Sequence, residues 1–101
     1  MKKIVLLCAS GMSTSMLVKK MQEAAKADAY DCEIAAFSAS EAATKAVDAD
    51  VVLLGPQIRH MLGDVQKVVA GKCPTAVIDM RDYGMIRGDK VLDKALSMAT
   101  K

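Results

Sequence analysis

Ile4-Val5-Leu6-Leu7 runs directly into Cys8-Ala9-Ser10-Gly11-Met12-Ser13-Thr14-Ser15, and a segment of helical period follows from about Thr14. The apolar run has strand length and the small residues suit a tight loop, so the stretch reads as strand, loop, helix. Such a junction is an anion site. Gly11 can take a left-handed conformation and the small Ala and Ser side chains leave room, so successive backbone N–H groups can converge in front of the helix N-terminus. Phosphate is held there without any basic side chain. The residue that opens the loop is a cysteine, and donors that hold a phosphate also stabilise a thiolate. Nucleophile and phosphate cradle are therefore one object.

Working outward, apolar runs alternate with helical patterns, the signature of a parallel sheet with crossover helices. Strands are expected near residues 3 to 8, 32 to 37, 50 to 54 and 75 to 79. The first helix, about 14 to 28, carries Leu17, Val18, Met21, Ala24, Ala25 and Ala27, with Lys19, Lys20, Glu23 and Lys26 at solvent-facing positions. Ser38 or Ser40 can cap a second helix running to about Val47, with Ser38 and Glu41 spaced as a capping box. Val51-Val52-Leu53-Leu54 suits a strand covered on both faces, and Gly55-Pro56 ends it. A third helix is expected from about Ile58 or Gly63 to Ala70. Beyond the fourth strand a loop carries Tyr83-Gly84, and Asp89 is placed to cap a last helix with Val91, Leu92, Ala95, Leu96 and Ala99 inward.

Four strands and about four helices give an α/β fold: an open, doubly wound parallel sheet of order 2-1-3-4 with helices on both faces. In such a sheet a ligand sits beyond the carboxyl ends of the strands where the winding reverses, beside strands 1 and 3. Cys8 falls there. The loops Gly55 to Arg59 and Asp79 to Arg87 should flank it, which makes Gln57, Arg59, Asp79 and Tyr83 candidate flanking residues.

The 101 residues are the length of one domain, and no repeat, linker or low-complexity segment divides them. Hydrophobic residues make up 52% but aromatics only 3%, so the core must be aliphatic, with eight Met among its candidates. Fourteen basic and 12 acidic residues give a net charge of +2, and no block of like charge supplies a nucleic-acid footprint. No segment approaches the roughly 18 apolar residues of a bilayer span, and Lys2-Lys3 precedes only a strand-length run, so a cytoplasmic chain without a signal peptide is expected. Cys8, Cys32 and Cys73 are far apart with only His60 to assist, so free thiols are expected instead of a disulfide framework or metal site.

Strand, C-x-x-G-M-S-T-S loop, helix, then L-L-G-P-Q-I, V-I-D and a downstream Y-G together resemble the IIB component of the bacterial phosphoenolpyruvate-dependent sugar phosphotransferase system, lactose/cellobiose (chitobiose) class. The resemblance covers nearly the whole chain. It implies a small cytoplasmic phosphocarrier, without cofactor, that accepts phosphate from a histidine of a IIA component and passes it to a sugar held by the membrane permease IIC. By position it implies phosphorylation on Cys8. It also implies a phosphate-binding loop of Ala9, Ser10, Gly11, Met12, Ser13, Thr14 and Ser15. The expected sugar is a β-linked disaccharide such as cellobiose, chitobiose or lactose.

Other readings accompany these residues. The architecture is shared with low-molecular-weight tyrosine phosphatases and arsenate reductases, which also start from a cysteine loop, and a non-catalytic phospho-dependent regulator is a third possibility. Ser10, Ser13, Thr14 and Ser15 also suit turn and cap positions. His60 reads as a surface residue, and Cys32 and Cys73 lack a phosphate-type loop. Asp79 resembles a general acid at a strand end, though capping the next turn explains it equally well. Met12, Met61, Met80 and Met85 fall after strands 1, 3 and 4, where pliable thioethers suit a chain that docks different partners in turn.

Overall fold

Ile4 to Leu7 and Val51 to Leu54 are all fully buried, as strands covered on both faces must be. The computed structural model describes residues 2–8, 12–29, 32–41, 49–69 and 73–99. In it β1 (Lys2–Cys8) is central, with β2 (Cys32–Ser38) on one side and β3 (Val51–Leu54) on the other. β4 (Thr75–Val77) lies outside β3, all pairs are parallel, and the order is β2-β1-β3-β4. β4 stops at Val77 instead of 79, although the Ile78 N–H still donates to the Leu54 carbonyl at 2.8 Å.

Strand alternation divides the core into two. Ile4, Leu6, Ile34, Val51 and Leu53 pack against Leu17, Met21 and Ala25 of α1 (Met12–Ala27) and against Val91, Leu92 and Ala95 of the last helix. Val5, Leu7, Val52 and Leu54 pack on the opposite face against Ile58, Val65 and Val69. Helices thus cover both faces. Lys19, Lys20, Glu23 and Lys26 are exposed on α1, as its amphipathic register requires, and Ala27 is exposed with them.

The connections differ more from expectation. α1 starts at Met12, not near Thr14, which draws Ser13, Thr14 and Ser15 into its first turn. The Ser38 N–H donates to Glu41 Oε2 at 3.2 Å, one half of a capping box, where a 3-10 turn (Ala39–Glu41) begins. The remainder of the expected second helix, to Val47, lies outside the described residues. After β3 the chain enters a 3-10 segment (Pro56–Met61) and then α2 (Leu62–Val69), because Ile58, at φ −117° and ψ 26°, breaks the helical run while its side chain is buried. Ala70 also lies outside the described residues.

The expected loop after β4 contains a helix, α3 (Met80–Gly84). It ends in a Schellman motif, with Ile86 N–H bonded to Tyr83 O and Arg87 N–H to Asp82 O. The last helix, α4 (Gly88–Ala99), follows at once. Asp89 is not its cap: Arg87, whose carbonyl accepts from Val91 N–H at 3.1 Å, holds that position. The Asp89 carboxylate lies in the first turn, 3.6 Å from Arg87 Nε.

Candidate functional site

Cys8 is the last residue of β1, and α1 begins at Met12 on the face that Ile4 and Leu6 share with it by alternation. Its side chain is only 2% exposed. Sγ lies 3.8 Å from the Phe37 carbonyl of β2, the weak contact of a thiol donor. Ala9, Ser10 and Gly11, and the side chains of Met12, Ser13 and Thr14, lie outside the described residues. The backbone of Met12 to Ser15 forms the first turn of α1, and that end of a helix carries the positive pole of its dipole. The Ser15 side chain is exposed.

On the side of β3 the loop is pinned to the residue before Cys8, since Gly55 N–H donates to the Leu7 carbonyl at 2.8 Å. Gly55 is itself a meeting point. A Cβ there would lie 2.7 Å from Gln57 Oε1 and 3.6 Å from both the Leu7 carbonyl and a ring carbon of Tyr83. Gln57 and Tyr83, far apart in sequence, therefore converge over the end of β3. With Pro56, Met80 and Gly84 they line a largely apolar groove of about 260 Å³.

The other flanking candidates are placed differently. Asp79 caps α3: its Oδ1 accepts from the N–H groups of Arg81 at 2.8 Å and Asp82 at 3.3 Å. Arg59 and His60 are exposed on the 3-10 segment after β3. Met80 and Met85 are more than half exposed, whereas Met61 packs partly against the second core cluster.

Cys32 and Cys73 precede or open their strands, at the opposite end of the sheet from Cys8. Burial, and after it the charge of Asp50, pushes the Cys73 thiol up from its ordinary pKa, against thiolate formation there. Among the described residues no group of His, Cys, Asp and Glu is arranged to hold a metal ion. No helix among them is long and apolar enough to cross a membrane.

One part of the surroundings was not legible as such. Ser38, read from sequence only as a cap, is the register partner of Cys8 across the β1–β2 ladder. The signal was present in principle, since two strands of known ends fix each other's register, but it required both ends to be placed to the residue.

Residues 3–94 match the model of the phosphotransferase-system lactose/cellobiose-specific IIB subunit family. The chain belongs to this family. Among IIB relatives it is 52% identical, over 93% of each chain, to the galactose-specific EIIB component of Lactococcus lactis subsp. cremoris. It is 43% identical, over 97% of this chain and 96% of the relative, to the oligo-beta-mannoside-specific EIIB component of Bacillus subtilis. Of solved IIB structures, the cellobiose-specific component from Borrelia burgdorferi superposes with a TM-score of 0.79 at 35% identity, covering 96% of this chain and 90% of that one. The lactose-specific IIB domain from Streptococcus pneumoniae superposes with a TM-score of 0.85 at 16% identity, covering 96% of each chain, a likeness of fold.

Proposed function

We propose that this IIB chain is a phosphocarrier and phosphotransferase that works through a phosphocysteine at Cys8. The observation that carries the reading is the position of Cys8 at the carboxyl end of the central strand, directly ahead of the N-terminal turn of α1. In the first half-reaction the Cys8 thiol loses its proton to solvent. The thiolate forms an S–P bond in line as the P–N bond to a IIA histidine breaks, and that electron pair returns to the imidazole. N–H groups of residues 9 to 15 hold the equatorial oxygens, where charge must be stabilised in the transition state. In the second, a hydroxyl of a sugar held by the IIC permease attacks phosphorus, its proton passes to a base at the permease, and the thiolate leaves. Gln57 and Tyr83, gathered at the end of β3, form the flank that a docked partner meets.

The sugar is a β-linked disaccharide of the cellobiose, chitobiose or lactose kind, a choice supported by the family and by relatives named for cellobiose and oligo-beta-mannosides. The chain works in the cytoplasm as one domain and meets the membrane only through the permease. Incubation with labelled phosphoenolpyruvate, the general phosphotransferase proteins and a IIA protein of this class should place label on Cys8, and Cys8→Ser should abolish sugar phosphorylation while IIA binding persists. Label found by tandem mass spectrometry on His60 or a serine would overturn the assignment.

A further inference from the structure

The opposite wall of the site is the end of β2, whose polar groups have no part in the reading above. Cys8 and Ser38 are the last bridged pair between β1 and β2. Paired residues of a parallel ladder project to the same face, as Ile4 and Ile34 do in the core beneath α1. Cys8 and Ser38 therefore stand side by side, one strand spacing of about 4.8 Å apart. An independent contact agrees, for the Cys8 sulfur already leans toward β2, 3.8 Å from the Phe37 carbonyl. The half-buried Ser38 hydroxyl lies 2.8 Å from Ser40 Oγ and 3.5 Å from Glu41 Oε2, and the Ser38 N–H donates to that same carboxylate oxygen.

We propose that Ser38 is a positioning residue for the phosphoryl group: its hydroxyl, at the end of β2 beside Cys8, donates a hydrogen bond to an oxygen of a phosphoryl group carried on Cys8. This rests on the phosphocysteine reading. A serine hydroxyl has one proton and rotates freely about its bond. Without phosphate that proton is directed at the oxygen of Ser40 or Glu41, and a phosphoryl oxygen is an ionised acceptor of the stronger kind. The group projects beyond the sulfur, so its oxygens extend across the gap that separates the two strands. When the Ser38 proton turns to it, Ser40 Oγ can donate to Ser38 Oγ, and no hydroxyl loses its partner. The Phe37 carbonyl only accepts; it suits the thiol and repels the anion, which favours turning the phosphoryl oxygens toward the hydroxyl. The Glu41 carboxylate, bonded to the Ser38 N–H and 3.5 Å from the same hydroxyl, also repels the anion, and the hydrogen bond from Ser38 must outweigh it.

The test follows labelled phosphate at equilibrium between a IIA protein of the lactose/cellobiose class and this chain, together with the phosphorus NMR resonance of the phosphocysteine. Ser38→Ala should shift the distribution toward IIA about tenfold and move the resonance, the scale of losing one hydrogen bond to a charged group. Ser38→Thr, which keeps the hydroxyl, should restore both, with thermal midpoints close to the parent in either variant. A Ser38→Ala chain with the parent's distribution and resonance would overturn the inference and leave phosphocysteine standing. Equal losses in the alanine and threonine variants would also overturn it, because shape and not the hydroxyl would then be at work. A parent chain that takes no label at all overturns both readings.

Discussion

Ala29, just beyond α1, and Ile86, at the end of α3, hold left-handed backbone at φ 58° and 54°. Such a conformation costs an L-residue with a side chain roughly 1–2 kcal/mol. At Ile86 the cost is offset by a side chain packed against the larger core cluster and by the two bonds of the Schellman motif. At Ala29 the side chain is exposed, and among the described residues the contact is its N–H, 3.3 Å from the Lys26 carbonyl. Ala29→Gly removes the strain, while the greater freedom of glycine in the unfolded chain gives back part of the gain, about 0.4–1 kcal/mol. The net expectation is a stabilisation of roughly 0.5–1 kcal/mol, a rise of a few degrees in Tm for a chain of this length. Urea melts of parent and variant check it; a lower midpoint for Ala29→Gly would show that the turn is not strained. Ile86→Gly should behave in the opposite sense, because it gives up buried apolar contact along with the strain.

α4 meets α1 closely at Gly88. A Cβ on Gly88 would lie 2.6 Å from the Lys20 carbonyl carbon, from Lys20 Cβ and from Met21 N, and backbone atoms cannot yield as a flexible side chain can. Gly88→Ala must therefore push α4 off α1, an overpacking change that typically costs about 1–3 kcal/mol. Denaturant melts should show that loss, and a variant as stable as the parent would mean the two helices slide apart without penalty. Gly88 also illustrates why some elements were harder to read. Gly88-Asp89 carries the local signs of a turn and a helix cap, whereas the glycine is required by a neighbour 67 or 68 positions earlier in the chain. The five-residue α3 is too short to show helical period, and Asp79, which caps it, has equally the look of a catalytic acid. The strands and their order were legible because Ile4 to Leu7 and Val51 to Leu54 are unbroken apolar runs, and the parallel crossover rule leaves few arrangements. Around the candidate site, the place of Cys8 at the end of β1 and ahead of α1 was legible because strand, cysteine and helix are contiguous in the chain. The meeting of Gln57 with Tyr83 over Gly55, and of Cys8 with Ser38 across the ladder, arises only from tertiary register.

The whole architecture, an open parallel sheet whose central strand ends in a cysteine ahead of a helix, is common to chains that carry phosphate and chains that release it. The difference must lie in what meets an attacking water. Cysteine phosphatases read C-x-x-x-x-x-R, with an arginine fork on two phosphate oxygens, and the sixth position after Cys8 is Thr14, in the first turn of α1. The obvious candidate for a general acid, Asp79, has Oδ1 engaged by two backbone N–H groups as the cap of α3. With threonine at that position, a phosphocysteine at Cys8, as proposed, gains no guanidinium charge from it in the transition state for hydrolysis, and Asp79 is engaged as a cap. The phosphorylated chain should accordingly outlast many donor encounters and turn over aryl phosphates poorly. Thr14→Arg should raise hydrolysis, by about tenfold or more if the fork reaches two oxygens, at the scale of a charge-assisted hydrogen bond expressed only in the transition state. The measurement is the decay of labelled phosphoprotein after the donor is removed, in parent and variant, beside the rate on p-nitrophenyl phosphate. Rapid decay and rapid aryl phosphate turnover by the unmutated chain would mean that the loop activates water unaided, and a phosphatase would then describe its chemistry better than a carrier.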